Sequence, residues 1–481
     1  MNRKFIAPLL SLLIITSCTP TEPDTTHLEK GKQLQREKKY TEALNQFKQV
    51  IAQDVDSFEA YRAIAQIFYE QNQLEASVQF FHQALRTCPK NKHDQLMLAN
   101  DLLQLGIKFF EQKKGEQAVA IFKTILQINE KIAAVHHNLA FTLAERLGRH
   151  EEAMKHYRRA LELNPDDPET RFCFSLSCLA TGNLDEGWEQ YKARWKGVRN
   201  SPRTFVKTFD KLWEGQELKN KTILIRAEQG LGDTLHFIRY AQLLKKQEAF
   251  VIAEVQKPLI NLLSLCPYID KVVAIGQNLP PFDYQIPLLN TPAVCKTNLD
   301  TIPADIPYLY ADKQIEKTWK KKITGKNFKV GLCWFGDAVH GQTKFMPLAD
   351  FVPLMRMEGV SFYSLQKYSG LEQIADLPDD VTLHLFEDDF DKTNGGFMDT
   401  AAVMKHLDLV ITADTSVAHL AGGLGVPVWI VLPFPAEWRW LTEKENSPWY
   451  PTARLFRKKT SENWSLAKQE LLAALQEQLA A

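Results

Sequence analysis

Apolar and small residues recur at helical spacing over residues 27–195, and a longer period of about 34 residues is superimposed on this spacing. The clearest period contains Tyr61, Ile64, Ala65, Phe68, Leu74, Ser77, Phe81, Ala84 and Pro89. Small side chains such as Ala65 allow two antiparallel helices to approach closely, while bulky ones such as Phe81 fill the space between them. About five periods can be followed, and the last one, around Gly187, has altered positions. The pattern predicts a stack of helix pairs over residues 27–200.

Compact apolar runs replace the helical pattern after a mixed linker at residues 201–220. The first run, 222–227, precedes a glycine-containing turn and a helical stretch, 234–245; further runs lie at 250–255, 271–275, 329–334, 360–365, 407–412 and 427–432. Runs of this kind that alternate with helical stretches are typical of buried parallel strands in α/β domains. Because a proline-rich segment, 278–307, separates two series of runs, the pattern predicts two doubly wound lobes, at residues 221–312 and 326–481.

Two turns between a strand and a helix carry residues suited to an anionic ligand. The first contains Gly230 and Gly232, which allow the backbone to approach a ligand closely at a helix N-terminus. In the second, Asp414 ends a strand and can accept hydrogen bonds from sugar hydroxyls. Thr415 and Ser416 follow it, and their hydroxyl and N–H groups are available to a diphosphate. Helix capping alone would also account for Thr415 and Ser416.

Ordered motifs in both regions resemble known families. The helical periods resemble tetratricopeptide repeats. Residues 221–465 resemble the heptosyltransferase-like branch of the GT-B glycosyltransferases, in the form that is fused to such repeats. The motifs that carry the second resemblance lie at residues 228–234, 364–367, 399–402, 414–422, 438–440 and 447–451. Together the resemblances imply a multidomain chain, in which an all-α tetratricopeptide solenoid precedes a GT-B type α/β module of two Rossmann-like lobes.

The second resemblance also implies a reaction and the residues that perform it. A nucleotide-diphospho-sugar would bind mainly to the second lobe, and an acceptor would enter from the first. Asp233 matches the aspartate proposed as general base, which takes the acceptor hydroxyl proton while the anomeric carbon inverts. The implied donor-binding positions are Lys344, Gln366, Asp414, Thr415, Ser416 and His419. The resemblance implies no metal ion and no cofactor besides the donor substrate.

The N-terminus has the order of a bacterial export signal. Arg3 and Lys4 precede an apolar run of about eleven residues, which is too short to span a bilayer. Residues 15–18 follow and resemble a lipobox, which implies cleavage before Cys18 and lipid attachment to that cysteine. Residues 19–26 are polar and contain two prolines, as a flexible tether would. The resemblance implies a membrane-anchored lipoprotein at the outer membrane or facing the periplasm; a cytoplasmic protein with an apolar N-terminus is the alternative.

Composition narrows the range of partners. Lys+Arg and Asp+Glu number 58 each, so the chain has no overall positive charge that would attract nucleic acid. The seven cysteines form no CxxC pair or other zinc-ligand spacing, which gives no support for a metal site. A curved stack of helix pairs typically binds a protein or peptide in its groove. We therefore expect a protein or peptide partner, a nucleotide sugar, a membrane contact through the lipid, and no nucleic acid.

Two functions are consistent with these features. The first is transfer of a sugar from a nucleotide-diphospho-sugar to a protein or glycan presented by the repeats. The second is a lipid-anchored tetratricopeptide scaffold whose glycosyltransferase-like module is catalytically inactive. Export favours the scaffold, because activated nucleotide sugars are made in the cytoplasm. The presence of Asp233, Asp414 and His419 favours the enzyme.

Overall fold

The computed structural model describes residues 25–195, 210–336, 345–460 and 463–480. The chain divides into two compact units, one ending at Thr142 and the other beginning at Leu143. Two residues singled out in the sequence, Cys18 and Lys344, lie outside the described residues, as do linker positions 201–209.

The first unit consists of helices that pack in consecutive pairs. They are α1 (Thr25–Arg36), α2 (Tyr40–Gln53), α3 (Phe58–Glu70), α4 (Leu74–Thr87), α5 (Lys92–Glu111), α6 (Gly115–Ile128) and α7 (Ala133–Leu147), the last of which crosses the division. Within the α5–α6 pair, a Cβ on Gly106 would lie only 2.5 Å from the ring of Phe122. Ser77 closes the α3–α4 pair, since its hydroxyl donates to the Ala65 carbonyl at 2.9 Å. The small and large positions of the sequence period thus form the helix contacts.

Three further repeat helices belong to the second unit: α8 (His150–Leu163), α9 (Pro168–Ala180) and α10 (Leu184–Tyr191). Helix α10 packs into the same hydrophobic core as the α/β lobes. Its Trp188 donates from Nε1 to the Thr297 carbonyl at 3.0 Å and meets the rings of Phe237 and Trp438 edge-on. The altered last period of the sequence is therefore the one that contacts the α/β lobes.

The first lobe is built on a four-stranded parallel sheet with the order β3-β2-β1-β4. The strands are β1 (Thr222–Arg226), β2 (Phe250–Val255), β3 (Lys271–Ala274) and β4 (Tyr284–Pro287). The helices are α11 (Leu231–Phe237), α12 (Tyr240–Lys246), α13 (Ile260–Leu263) and α14 (Thr291–Val294). Both faces of the sheet are covered, because Ile223 and Ile225 enter the main core while Leu224 and Ile252 pack on the other side. Nearly continuous apolar runs are the expected result.

The second lobe contains a six-stranded parallel sheet with the order β10-β9-β8-β5-β6-β7. Its strands are β5 (Phe328–Cys333), β6 (Val360–Ser364), β7 (Leu383–His384), β8 (Leu409–Ala413), β9 (Val428–Leu432) and β10 (Ala453–Arg457). Its helices are α15 (Lys313–Lys322), α16 (Val352–Met355), α17 (Met398–Met404), α18 (Ser416–Leu424) and α19 (Ser465–Ala480). Helix α19 covers one face of this sheet through Ala467, Leu471 and Leu475.

The predicted fold class is confirmed: tetratricopeptide-like helix pairs precede an α/β module of two parallel-sheet lobes. Two details differ from the sequence pattern. The proline-rich segment 278–307, which the sequence pattern places between the two series of strands, contains β4, and this strand pairs with β1. The helical stretch 234–245 is two helices, α11 and α12, separated at Ile238 and Arg239.

Candidate functional site between the two lobes

The glycine-containing turn of the first lobe places Asp233 at the start of α11. Strand β1 ends at Arg226, and Gly230 is the residue before the helix. Oδ2 of Asp233 accepts a hydrogen bond from the backbone N–H of Gly230 at 2.9 Å, so the carboxylate caps its own helix. The predicted general base is therefore fixed by local structure, with one oxygen directed to its own turn.

The other oxygen of Asp233 pairs with Arg439 of the second lobe. Arg439 lies in the 3-10 turn Trp438–Trp440, and its guanidinium also pairs with Glu437. The side chain of Arg439 is only 8% exposed, and its guanidinium lies over the rings of Trp438 and Phe237. An arginine held between two carboxylates and two aromatic faces joins the lobes at this point.

Three carboxylates act on this one cation. Burial alone would lower the pKa of Arg439, but Glu437, Asp233 and Asp414 raise it above its ordinary value. Burial raises the pKa of Glu437 to about 7, Arg439 opposes this rise, and Asp414 and Asp233 add to it. The cluster has more acids than bases among the described residues, so the ionised form of Glu437 is the unfavourable one.

The second turn has the strand, polar turn and helix predicted for it. Thr415 caps α18, because its hydroxyl accepts from the Val417 N–H at 3.3 Å. Capping thus accounts for Thr415, as the sequence allowed. Within the described ranges, no hydrogen bond or ion pair engages the Asp414 carboxylate, and the Ser416 hydroxyl has no hydrogen-bond partner. Asp414 and Ser416 therefore retain polar groups that a ligand could use.

Gly232 determines how closely the two turns approach each other. A Cβ on this residue would lie 3.0 Å from Cδ2 of His419 and 3.4 Å from Cα of Ser416. Only a residue without a side chain allows α11 to pack against α18 at this distance. The two predicted ligand-binding turns therefore contact each other directly. Gly230 serves the turn itself, as the residue whose N–H Asp233 binds.

His419 is buried under the turn. Its Nδ1 and the hydroxyl of Tyr450 are 2.8 Å apart, and its ring stacks on Trp440. Burial, followed by the nearby charges of Arg439 and Arg239, lowers the pKa of His419 well below its ordinary value. In this structure the imidazole is consequently neutral.

Tyr450 connects several buried polar groups that the sequence analysis did not assign to the site. Its hydroxyl is 2.8 Å from Nδ1 of His236 and also 2.8 Å from Nδ1 of His419. Arg239 donates to the hydroxyl of Tyr308 and lies over the ring of Tyr450. Tyr450 belongs to the 447–451 motif, but the sequence pattern predicts no role for its hydroxyl. Its partners His236 and Arg239 belong to the first lobe, so no local pattern could reveal the pairing.

The structure places the remaining predicted residues differently. Gln366 is buried, and its side-chain amide is saturated by backbone groups: Oε1 accepts from the Phe335 N–H at 2.9 Å, and Nε2 donates to the carbonyls of Phe335 and Ser369. In this structure the amide of Gln366 holds the segment after β5. Few of its hydrogen-bonding groups are available to a nucleotide sugar. Lys344 follows that segment and lies outside the described residues.

Neither a metal cluster nor a membrane helix is found in the described parts of the chain. No group of three or more histidine, cysteine or acidic side chains there could hold a metal ion. None of the helices in the same ranges combines the length and apolar character needed to cross a bilayer.

The architecture defines a class: tetratricopeptide repeats joined to a two-lobed α/β module. Residues 28–92 match the family model described as Tetratricopeptide repeat, and residues 146–174 match the one described as TPR repeat. Among curated proteins, Protein FlbA of Caulobacter vibrioides is 25% identical over 366 residues, which is 70% of this chain and 60% of that protein. The chain thus spans less than two thirds of the length of this relative.

Solved structures show similarity to each part. A glycosyl transferase family 9 protein from Veillonella parvula is 12% identical, with a TM-score of 0.42 over 55% of this chain and 99% of that one. MamA is 20% identical, with a TM-score of 0.27 over 35% of this chain and 91% of that one. YrrB, described as a TPR protein with an unusual peptide-binding site, is 15% identical, with a TM-score of 0.28 over 35% and 82%. The fold assignment itself rests on the helix pairs and strand order described above.

Proposed function

We propose that the protein is an inverting glycosyltransferase of the heptosyltransferase-like type, which binds a nucleotide-diphospho-sugar between its two lobes. The observation that carries this proposal is the meeting of the two polar turns at Gly232. They join Asp233 of the first lobe to Asp414 and Ser416 of the second, at the carboxyl edges of two parallel sheets. Ligands of open α/β sheets bind at such edges.

The proposed chemistry uses these groups in a defined order. The acceptor hydroxyl attacks the anomeric carbon while the bond from that carbon to the diphosphate breaks, and the hydroxyl proton passes to Asp233. Both oxygens of Asp233 already accept one hydrogen bond, but a carboxylate has about four lone-pair sites and can accept a further one. The hydroxyl and backbone N–H of Ser416, at the start of α18, and Lys344 would stabilise the negative charge on the departing diphosphate.

The repeats would present the acceptor. Residues 28–92 match a tetratricopeptide model, and such helix stacks typically bind an extended peptide or protein in their groove. The acceptor we propose is therefore a protein, or a glycan carried on one.

The proposed site of action is the membrane surface, through a lipid on Cys18. Growth with a radioactive fatty acid tests this directly: wild type should become labelled, and Cys18→Ala should not. Equal labelling of the two, or none in either, would contradict lipid attachment at Cys18.

Binding and turnover of a panel of nucleotide-diphospho-sugars test the enzyme proposal, with protein lacking residues 1–26. Asp233→Asn should keep the Kd of the donor and lose about 10²–10⁴-fold in turnover, which is the usual contribution of a general base. Asp414→Ala should weaken donor binding itself. Asp380→Asn is the control, because Asp380 is exposed and pairs only with the surface residue Arg356. If no donor binds at millimolar concentration, the transferase proposal fails.

A second candidate function is the scaffold with an inactive module. The tight contact at Gly232 and the pairing of Asp233 with the buried Arg439 favour it, since both close the space in which a donor would lie. In that case neither Asp233→Asn nor Asp414→Ala would change the activity of the protein in cells, whereas disruption of the repeat groove would.

A further inference from the structure

A cavity lies at the carboxyl ends of β9 and β10, away from the contact at Gly232. It has a volume of about 400 Å³ and is bounded on its other side by the first turn of α8. The residues that matter for its chemistry are His150, Phe434, Glu443, Arg457, Lys458 and Lys459. The carboxyl edge of a parallel sheet is where α/β proteins bind their ligands, so the position itself is suited to a site.

Arg457 is the most unusual group in this cavity. Although it is only 9% exposed, its hydrogen bonds are to the backbone carbonyls of Lys444 and Trp440, and no carboxylate in the described ranges pairs with it. Burial lowers its pKa to about 10. The buried Arg194, Arg226 and Arg439 each pair with an acid. The buried Arg239 also lacks an acid, but both of its Nη atoms and its Nε donate hydrogen bonds.

The guanidinium of Arg457 also has unused donor capacity. Its Nε and Nη2 atoms make the two carbonyl hydrogen bonds, whereas its Nη1 group makes none within the described residues. A buried cation with a free donor at a cavity wall is the arrangement that an anion satisfies, because charge and hydrogen bond are then both compensated.

The side chains that follow Arg457 in the chain also carry positive charge. Lys458 and Lys459 follow Arg457 in the chain and line the same cavity, and Glu443 is the one acid among the described residues that line it. His150 adds no charge at neutral pH, since burial lowers its pKa to about 4, and its Nδ1 lies 3.2 Å from the hydroxyl of Ser177. Among the described lining residues, Arg457 and Lys459 alone already outnumber Glu443, so the cavity has a net positive charge.

Part of the lining is apolar. It includes Pro433, Phe434, Pro435 and Leu441, and the Phe434 ring lies 3.3 Å from the position that a Cβ on Gly148 would take. A bare inorganic ion would use only the cationic wall. A ligand that carries a ring or an alkyl group beside its phosphate would use both walls.

We infer that this cavity binds a phosphorylated small molecule, with its phosphate on Arg457 and Lys459 and its apolar part against Phe434. The site is distinct from the turns at Asp233 and Asp414. It connects the first turn of α8 to the carboxyl edge of the second-lobe sheet, so its occupant would contact both a repeat helix and the α/β module.

Acetylation of lysines in the full chain, followed by mass spectrometry, tests the inference with phenyl phosphate as the probe. Lys459 is exposed and should react; phenyl phosphate should slow its acetylation by about fivefold, as expected for contact with an anion. Lys320, an exposed lysine on α15 that does not line the cavity, should react at an unchanged rate. Inorganic phosphate should require about a tenfold higher concentration, because it cannot bury a ring. Unchanged reactivity of Lys459 at about 10 mM probe, beyond ordinary weak binding, would overturn the inference.

Variants test whether phenyl phosphate protects Lys459 by binding in this cavity. Arg457→Gln should abolish the protection of Lys459 from acetylation. If that variant does not fold, two variants at exposed positions of the lining test the same point. Thr442→Glu should raise the half-protecting concentration about threefold and Glu443→Gln should lower it about threefold, as expected for one exposed charge. Thr393→Glu, at an exposed threonine outside the lining, and Thr415→Val, in the turn before α18, should have no effect. An equal response to Thr393→Glu and Thr442→Glu would contradict the assignment.

Discussion

At the scale of single residues, the hydroxyl of Tyr450 holds two buried imidazoles. Tyr450→Phe would leave Nδ1 of His236 and Nδ1 of His419 without this partner, in a region that water does not reach. We expect the free energy of unfolding to fall by about 2–4 kcal/mol, since an unsatisfied buried polar group costs about 1–3 kcal/mol. Urea unfolding measures this. Tyr310→Phe is the matched control, because the Tyr310 hydroxyl is exposed and makes one long bond; an equal loss for both variants would refute the argument.

Glu437 makes stability depend on pH. Its pKa is raised in the folded state, so its contribution is fully present below the unfolded pKa of about 4.3 and is lost as pH rises toward about 7. We expect Glu437→Gln to remove about 2 kcal/mol of this decline between those pH values. The quantity to measure is the difference in unfolding free energy between wild type and variant at each pH, in which the contributions of His236 and His419 cancel. A difference that does not change with pH would show that the pKa of Glu437 is the same in the folded and unfolded protein.

The residues of the site differ in how far the sequence could reveal them. Asp233, Asp414 and Ser416 stand in recognisable turns between a strand and a helix, and the structure brings those turns together. The pairing of Asp233 with Arg439 joins residues from different lobes, and no periodicity or spacing encodes it. The motif of Gln366 predicts contact with the donor, which stays a prediction; in the structure, backbone groups engage its side-chain amide.

At the scale of elements, a buried ion pair attaches the end of the repeats to the first lobe. Arg194, in the 3-10 turn after α10, pairs with Glu228 at 2.9 Å, and both side chains are almost fully buried. We expect Glu228→Gln to lower the free energy of unfolding by about 3 kcal/mol, because it removes the negative charge of a buried ion pair. The double variant with Arg194→Met should recover part of this loss.

The exposed pair of Arg356 and Asp380 is the control for that measurement. Asp380→Asn should cost less than about 1 kcal/mol, as is usual for surface ion pairs. If Glu228→Gln were as mild as Asp380→Asn, the buried pair would not be what holds α10 to the lobe.

Strands were predictable where their composition was distinctive. Strands β1, β2, β8 and β9 are rich in Val, Ile and Leu and are buried on both faces, so each gave a clear run. Strand β4 is four residues long, lies in a proline-rich segment and ends at Pro287, and β10 has an arginine at its last position. Such strands are defined by the neighbour they pair with, which a local pattern does not contain.

At the scale of the whole molecule, the change from helices to strands in the sequence does not coincide with the division into compact units. Phe172, Trp188 and Tyr191 of the last repeat belong to the core of the second unit. We expect a fragment of residues 143–481 to unfold cooperatively on heating. A fragment of residues 201–481 should be less stable by at least about 5 kcal/mol, at about 1.5–3 kcal/mol for each large side chain removed.

Calorimetry of the two fragments measures the difference. Equal melting temperatures would mean that the α/β lobes fold independently of the last repeat, contrary to the shared core. The fragment 27–200, which the helical pattern suggests as a domain, should for the same reason expose the apolar face of α10 and tend to associate.

Trp188 gives the protein a way to couple events in its two parts. This side chain on α10 touches Phe237 of the first lobe and Trp438 of the second, next to Arg439. A rotation of one lobe away from the other therefore disrupts the packing of the Trp188 ring. By thermodynamic linkage, a ligand that opens the lobes and a partner that holds α10 in place would each weaken the binding of the other, to the same degree.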